Sequence, residues 1–579
     1  MKRPLGNIVL AAIGLSFAYF IVSFSLRLAG IRIYQVDECQ NVFVAALVAS
    51  GQAHNYFASV TLFVVPLAWL IRGAAHSIDM FTSARLVSLL IFWLNLLFIA
   101  TATGSRLLSR RWLIALMGAA TLAPLWDYGF EIRHDNLLLT GLLLSWCLVR
   151  FPPVGILSYT VVGALATAMQ FTAFKAFVYT LPLTLVVLAL PPIGSRIARW
   201  KLASAWTAGA VAMFLVIRLA YGAAGIWDVY LAGVKWASTI STGGTRFGPW
   251  GTLSRLLTQT PLLLALLPAA AITLGMELYH QGKSALTWEG NLPEALLFLL
   301  ALGVLIINPA PHPYNLLNLV PFAYLFTFRY ASTIVPAIWD SLAMRPLVLG
   351  VLLFAHVVPF WIATRRHLNW PNYNQEAIMR LAEDLTDPAR DQVYDGIGMV
   401  PTRRSSGYSW FLHSLNLQYF IDGSRSRVRE MLAEKPASVF IPSYRTDWLP
   451  KEDHDFISER YVPMADDFWV LGKVLPAGGG DFEIVHAGRY RISSLDGSDI
   501  MGTFNPEMPE SDAPEKTGSL TGTVDGKPLV AGVMELTAGQ HRIQTSPDCR
   551  PAVVWVGPKI DRIHPLRSGD HRMLFVNWY

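Results

Sequence analysis

Apolar runs of about 15–22 residues recur along the first ~365 positions, separated by short polar stretches. They lie near 7–29, 83–104, 112–129, 136–150, 154–172, 175–191, 203–222, 256–275, 292–308, 314–333 and 346–364. A hydrocarbon core roughly 30 Å thick takes about 20 helical residues to cross. The pattern predicts a polytopic α-helical membrane domain over residues 1–365, with about 11 transmembrane helices. A further run, SVTLFVVPLAWLIRG (59–73), is shorter and reads as a re-entrant or interfacial segment.

After residue 365 the periodicity changes. QEAIMRLAEDL (375–385) has apolar positions at helical spacing, while ASVFIPS (437–443) and DDFWVLGKVL (466–475) read as buried strands. These predict a small α/β domain over 366–475. PAGGGD (476–481) reads as a linker. Beyond it FEIVHAGRYRIS, GSLTGTVDGKPL, VMELTAGQHRIQT and AVVWVGP alternate apolar and polar positions around D-G and A-G turns. That predicts an antiparallel β-sandwich over 480–579, jelly-roll-like and carbohydrate-binding-like at its edges. A structural or docking role suits such a sandwich as well as sugar binding does.

Composition agrees with the pattern: 53% of residues are hydrophobic and 15% charged, against about 25% charged in soluble proteins. The net charge of +6 comes from Lys and Arg scattered between the apolar runs, with no basic block, so no nucleic-acid partner is expected. The cations fall in alternate loops: Lys2 and Arg3, then Arg106, Arg110 and Arg111, then Arg150, then Arg196, Arg199 and Lys201, then Lys283 and Arg345. Short basic loops stay inside. The expected topology has a cytoplasmic amino terminus in the inner (plasma) membrane and a periplasmic or extracellular tail. The first run starts with positive residues, as a signal peptide does, but it is long and no A-x-A site follows, so it reads as a retained helix. Cys39, Cys147 and Cys549 make neither a zinc pattern nor a disulfide framework, although a Cys39–Cys549 bridge is conceivable.

In this topology the unusual polar residues share the outer side. Asp37 and Glu38 stand in YQVDECQNVF, Glu131, Arg133, His134 and Asp135 in EIRHDN, Lys175 in MQFTAFKAFVYTLPL, and His312 and Tyr314 in NPAPHPYN. Charges at a bilayer edge line cavities and pair with one another. Asp135 opens an apolar run and suits a helix cap, with Arg133 two residues before it. Lys175 is either a snorkelling lysine or a cation for a phosphate at headgroup level. The proline-rich turn around His312 and Tyr314 is either a plain connector or a stiff mount for two phosphate-binding side chains. Gly-rich phosphate loops, H-E-x-x-H and G-x-S-x-G motifs are absent from the sequence. Charges at mid-span are few and no inverted repeat is evident, which counts against a proton-coupled transporter.

Taken in order, these segments resemble the GT-C superfamily of polyprenyl-phosphate-sugar-dependent glycosyltransferases, and within it the protein O-mannosyltransferase and lipid A aminoarabinose transferase family. The resemblance rests on Asp37-Glu38, on GQAHNYFASVTLFVVPLAWLI (51–71) at the position of an amphipathic loop helix, and on ARLVSLL (84–90). It continues through IRHDNLLL (132–139), where relatives show R-x-D, Gln170 to Lys175, and HPYNLLNLVP (312–321). It covers residues 1 to about 365. FASVTLF departs from the acidic, His or Pro residues of many relatives, His134 is an unusual filling of R-x-D, and the tail has no counterpart in the core family.

The resemblance implies a hexosyl- or pentosyltransferase working by single displacement. Asp37 would be the base, Glu38 its helper or an acceptor clamp. Arg133 and Lys175 would neutralise the leaving polyprenyl phosphate, His312 and Tyr314 would donate hydrogen bonds to it, and His134 and Asp135 would complete the substrate-binding set. The implied partners are a polyprenyl-phosphate sugar and an extracytoplasmic glycan, lipid or protein acceptor. No cofactor is expected, and no divalent metal either, since Asp37 and Glu38 are adjacent and Arg133 competes for Asp135; oligosaccharyltransferases of the same superfamily do use one. Two other readings remain open: a flippase or transporter of lipid-linked glycans, and a non-catalytic envelope assembly factor on a GT-C scaffold.

Overall fold

A computed structural model describes residues 2–53, 60–151, 154–190, 197–243, 248–282, 292–308, 311–339, 345–406, 412–413, 423, 426–465, 467–494, 520–529, 533–557 and 574–575. Helix α1 (Lys2–Ile31) is followed by two shorter helices, α2 (Val36–Ala49) and α3 (Val64–Ile71), before α4 (Ser77–Ala102). Then come α5 (Arg110–Ala120), α6 (Ala123–Tyr128), α7 (His134–Arg150), α8 (Ile156–Thr172), α9 (Phe177–Ala189) and α10 (Arg199–Ala223). Next, α11 (Trp227–Gly243) and α12 (Trp250–Gln259) lead to α13 (Pro261–Gln281), α14 (Leu292–Ile307) and α15 (Leu316–Trp339). The last rod is α16 (Arg345–Leu352) and α17 (Val358–Leu368), joined by a π turn at Leu353–Val357.

The chain is a membrane protein. Among the described residues, α4, α10, α13 and the Ala12–Ile31 part of α1 are long and apolar enough to cross a bilayer. The run expected as one helix over 112–129 is two, α5 and α6. The Thr121 hydroxyl bonds back to the carbonyls of Met117 and Gly118 at 3.0 and 3.1 Å. Pro124, in the first turn of α6, has no N–H to continue the ladder. α8 and α10 touch backbone to backbone. A Cβ on Gly163 would stand 1.9 Å from the Trp206 carbonyl oxygen, and one on Gly209 would stand 1.8 Å from that of Thr160. Only glycine permits this crossing, a means of close approach available to helices in lipid.

In the tail, α18 (Tyr373–Leu385) realises the predicted amphipathic helix. One sheet has the order β1 (Val393–Tyr394), β2 (Val439–Phe440), β4 (Phe468–Val474), β11 (Pro551–Trp555), β6 (Gly488–Ser494), β9 (Val533–Leu536), with β3 (Tyr461–Ala465) also on β4. The second is β5 (Gly479–Ile484), β10 (Gly539–Thr545), β7 (Gly522–Val524), β8 (Lys527–Pro528). The β7–β8 hairpin turns on Asp525 and Gly526, both at positive φ (52° and 76°), the conformation a two-residue D-G turn demands.

The expected split between a domain ending at 475 and another starting at 480 does not divide the sheet. β4 pairs with β11 antiparallel through Gly472–Val474 and Ala552–Val554. β11 is buried along its whole length, as a central strand is, and takes β4 on one side and β6 on the other. The glycine-rich segment starts β5 and is not a free linker: a Cβ on Gly479 would lie 2.3 Å from the Ile543 carbonyl oxygen. Cys39 and Cys549 are unbonded and buried in different parts of the chain.

The tail is docked on one end of the bundle. A single hydrophobic cluster runs from Val42 and Phe43 of α2 and Leu67 of α3 to Met379, Tyr394 and Val439 of the tail. Twin hydrogen bonds join Tyr34 to the Gln375 side chain at 2.7 and 2.9 Å. The Glu383 carboxylate accepts from the Ser77 N–H and hydroxyl at 2.7 and 2.6 Å.

Candidate active site

Glu38 sets the frame. It closes the capping box at the start of α2 by accepting the Gln35 N–H at 2.9 Å. It also receives a fork from Arg85 of α4, at 3.0 Å (Nε) and 2.9 Å (Nη2), and the Ile132 N–H at 3.1 Å. The remaining Arg85 donors go to the carbonyls of Ala29, Arg32 and Ile33 at 3.1, 2.5 and 2.8 Å. Glu38 is wholly buried. A carboxylate holding four protein donors has no place for an acceptor or a proton in transit, so the expected helper role for Glu38 is not met. It staples α1, α2, α4 and the α6–α7 connection together.

This staple positions Arg133. The Ile132 peptide is gripped from both ends, its N–H by Glu38 and its carbonyl by Asn41 Nδ2 at 2.9 Å. The next residue, Arg133, then faces Asp37: its Nη1 donates to Asp37 Oδ2. Nε and Nη2 of Arg133 reach Asp135 Oδ2 at 3.2 and 3.1 Å. Lys175, on a short turn at Phe174–Ala176, places Nζ 2.9 Å from Asp135 Oδ1. The Tyr314 ring supports both cations, 3.7 Å from the Arg133 guanidinium and 3.9 Å from Lys175 Nζ. The His312 and Tyr314 rings are 5.2 Å apart, and His134 Nε2 is 3.7 Å from Asp135 Oδ2. Asp135 does not cap its helix: α7 begins at His134 and Arg133 holds the cap position. The structure thus gathers Asp37, Arg133, His134, Asp135, Lys175, His312 and Tyr314 into one cluster, with Glu38 behind it.

Exposure separates these groups. The Asp37 side chain is 35% exposed and that of Lys175 24%, while Arg133 and Asp135 are buried. Burial alone would push the Asp37 carboxyl up. Arg133, then Arg445 and His413, outweigh it and hold it near 2. Asp37 Oδ1 takes no hydrogen bond among the described residues. Burial, with help from Lys175, Arg133 and His413, lowers His312 to about 3, so it is uncharged at neutral pH and offers an N–H or a lone pair, not a cation.

Four residues escaped the sequence reading. Arg85 is the single charge of ARLVSLL, and an arginine in an apolar run was a usable signal. Arg32 pairs with Glu131, completing a row of three acids matched to three guanidinium groups. The charges of His413 and Arg445, both in the tail, act on Asp37, and spacing along the chain says nothing of it.

No protein-family model and no curated protein matches this sequence. Solved structures do. ArnT from Cupriavidus metallidurans, bound to undecaprenyl phosphate, superposes with a TM-score of 0.51 at 12% identity, over 81% of this chain and 98% of its own. The fold is that of the GT-C glycosyltransferases. AglB from Archaeoglobus fulgidus, an oligosaccharyltransferase in complex with an inhibitory peptide and a dolichol-phosphate, superposes at a TM-score of 0.47 and 10% identity, over 79% of this chain and 74% of its own.

Proposed function

We propose that this GT-C protein is an integral membrane glycosyltransferase that moves a sugar from a polyprenyl-phosphate donor to an extracytoplasmic glycan, lipid or protein. One observation carries the reading: a carboxylate with an open oxygen, Asp37, is held by Arg133 to a second acid and a second cation, Asp135 and Lys175, at the tail-covered end of a GT-C bundle. The acceptor hydroxyl or amine gives its proton to Oδ1 of Asp37 and attacks the anomeric carbon. The bond from that carbon to the phosphate oxygen breaks, and its electron pair leaves on the polyprenyl phosphate. Arg133 and Lys175 take up the charge of the leaving group; neutral His312 and the Tyr314 hydroxyl complete its hydrogen bonds. The reading is tested by mass spectrometry of envelope glycans and lipid-linked sugars with and without the protein. Loss of one sugar from the glycans, with build-up of its polyprenyl-phosphate form, is expected; unchanged glycans and donor pools refute it.

Donor binding is expected to depend on both cations. A hydrogen bond to a charged group contributes about 1.5–3 kcal/mol, so Lys175→Met or Arg133→Met weakens binding of undecaprenyl phosphate roughly 10- to 100-fold, as read by tryptophan fluorescence titration. Unchanged affinity in both variants would place the phosphate elsewhere.

The amino terminus is assigned to the cytoplasm and the tail to the outer side of the plasma membrane, on the Lys/Arg bias of alternate loops. An alkaline phosphatase fused after residue 366 is expected to be active and a cytosolic reporter there silent; the reverse moves the cluster to the cytoplasmic face.

Catalysis is assigned to Asp37 directly, without a metal. Each acid of the cluster has its own cation: Asp37 has Arg133, Glu38 has Arg85, Glu131 has Arg32 and Asp135 has Lys175. A divalent ion would have to displace a guanidinium or ammonium group. Transfer is expected to survive EDTA; a loss reversed by Mn²⁺ or Mg²⁺ would recast Asp37 as a ligand.

A further inference from the structure

Glu131 is an acid of the cluster to which the proposed reaction gives no part. Its carboxylate is buried between two guanidinium groups. Oε1 pairs with Nη2 of Arg32, and Oε2 stands 3.7 Å from Nε of Arg133, an ion-pair distance longer than a hydrogen bond. The backbone is held as well: the Glu131 carbonyl accepts the Arg133 N–H at 2.7 Å and Asn136 Nδ2 of α7 at 2.6 Å. The charged and titratable groups that face the carboxylate are Arg32 after α1, Asp37 and Glu38 of α2, Arg85 of α4, Tyr128 of α6, and Arg133. Asp127 of α6 is taken by His367 and Arg366 of α17, at 2.8 and 3.0 Å.

The four acid–cation pairs of the cluster cancel. A donor phosphodiester adds one negative charge and draws on Arg133. An unmatched buried charge is highly unfavourable, and a carboxyl that takes up a proton removes it. The contacts decide which carboxyl this is. Glu38 holds four protein donors. Asp135 is held by two nitrogens of Arg133 and by Lys175. The Asp37 side chain is part-exposed and keeps water. Glu131 is buried, and Arg32 divides its donors between it and the carbonyls of Trp126 and Asp127, at 3.3 and 2.7 Å. Its other cation, Arg133, is the one the phosphate engages. Burial already raises Glu131 to about 7, against the pull of Arg32 and Arg133.

We infer that donor binding draws one proton from water onto the Glu131 carboxylate, which lets Arg133 pass from Glu131 to the phosphodiester with the charge of the cluster still matched. Glu131 is then a positioning residue that acts on the donor through Arg133. The proton returns to water when the polyprenyl phosphate departs. The inference rests on the transferase reading.

The probe is the methyl diester of undecaprenyl phosphate, which carries one charge throughout and takes up no proton itself. Binding to the full-length protein in detergent is followed against pH by tryptophan fluorescence. A second negative charge raises a carboxyl by about 1–2 pH units. Wild-type affinity is therefore expected to be full below about 7 and to fall about 10- to 50-fold by about pH 9. Calorimetry at about pH 8 in buffers of different ionisation enthalpy is expected to count an uptake of about 0.4–0.8 proton. Glu131→Gln, which keeps the shape without the charge, is expected to bind equally well across this range and to take up none. Thermal unfolding checks its fold, and Glu131→Met, neutral and of similar volume, repeats the test should it unfold. Wild-type uptake in the folded Glu131 variants would overturn the assignment to Glu131. Wild-type binding without uptake or pH dependence would overturn the coupling and leave the donor site standing. A diester that binds at no pH would overturn the donor reading and this inference with it.

Discussion

Asp37→Asn is expected to leave the protein folded and membrane-inserted while lowering sugar transfer by about 10²- to 10⁴-fold, the usual contribution of a general base. The side chain is part-exposed and its Oδ1 is open, so little packing depends on it. Asparagine keeps the shape and an oxygen for Arg133 to donate to, but it cannot take the proton of the attacking group. The acid response should change as well. Arg133, with Arg445 and His413, holds the Asp37 carboxyl near 2 against the upward push of burial. Its folded value lies below the ordinary carboxylate value, so the stability this ion pair contributes is complete above about pH 4 and is lost as pH falls through 2. Asp37→Asn removes that part of the acid sensitivity and, with it, the pair's contribution at pH 7, which is modest for a part-exposed carboxylate. Transfer assays beside circular-dichroism melts from pH 3 to 8 check both points. A variant that keeps more than a tenth of wild-type activity would move the base to another residue, Glu131 being the next acid in the row.

The charged residues of the site were legible because the surrounding chain is so apolar. Arg133, Asp135 and Lys175 stand out against runs of Leu, Val and Phe, and the basic loops alone predict one side of the membrane for all three. The pairing of functions at Asp37 and Glu38 was not legible. Adjacent residues look like a pair in a sequence, yet successive residues of a helix point about 100° apart, and α2 leaves Asp37 part-exposed and turns Glu38 into the protein. The break between α5 and α6 follows from Thr121 and Pro124, both visible, whose effect is weak until packing selects it. The β4–β11 pairing and the Tyr34–Gln375 hydrogen bonds join segments far apart in sequence. Such contacts are fixed by docking, in which Val42, Phe43 and Leu67 bury themselves against Met379 and Val439, and no local pattern encodes them.

Glu38→Ala is expected to act on the fold and not on the chemical step, in contrast to its neighbour. Removing one partner of a buried ion pair leaves the other charge unpaired, at about 3–5 kcal/mol, out of a total stability of roughly 5–15 kcal/mol for a typical domain. Here Arg85 would keep its three carbonyl partners but lose the only carboxylate it touches among the described residues, and the Gln35 and Ile132 N–H groups would lose their acceptor as well. The grip on the Ile132 peptide would fall to Asn41 alone, so Arg133 would be misplaced as a second consequence. The expected result is a large drop in thermal midpoint and faster proteolysis around residues 31–36 and 129–133. Glu38→Met combined with Arg85→Met, which removes both charges and keeps volume, should recover part of the lost stability, since paired burial of charge is itself expensive. A Glu38→Ala protein that melts like the wild type but has lost turnover would restore Glu38 to the reaction and overturn its assignment as a staple.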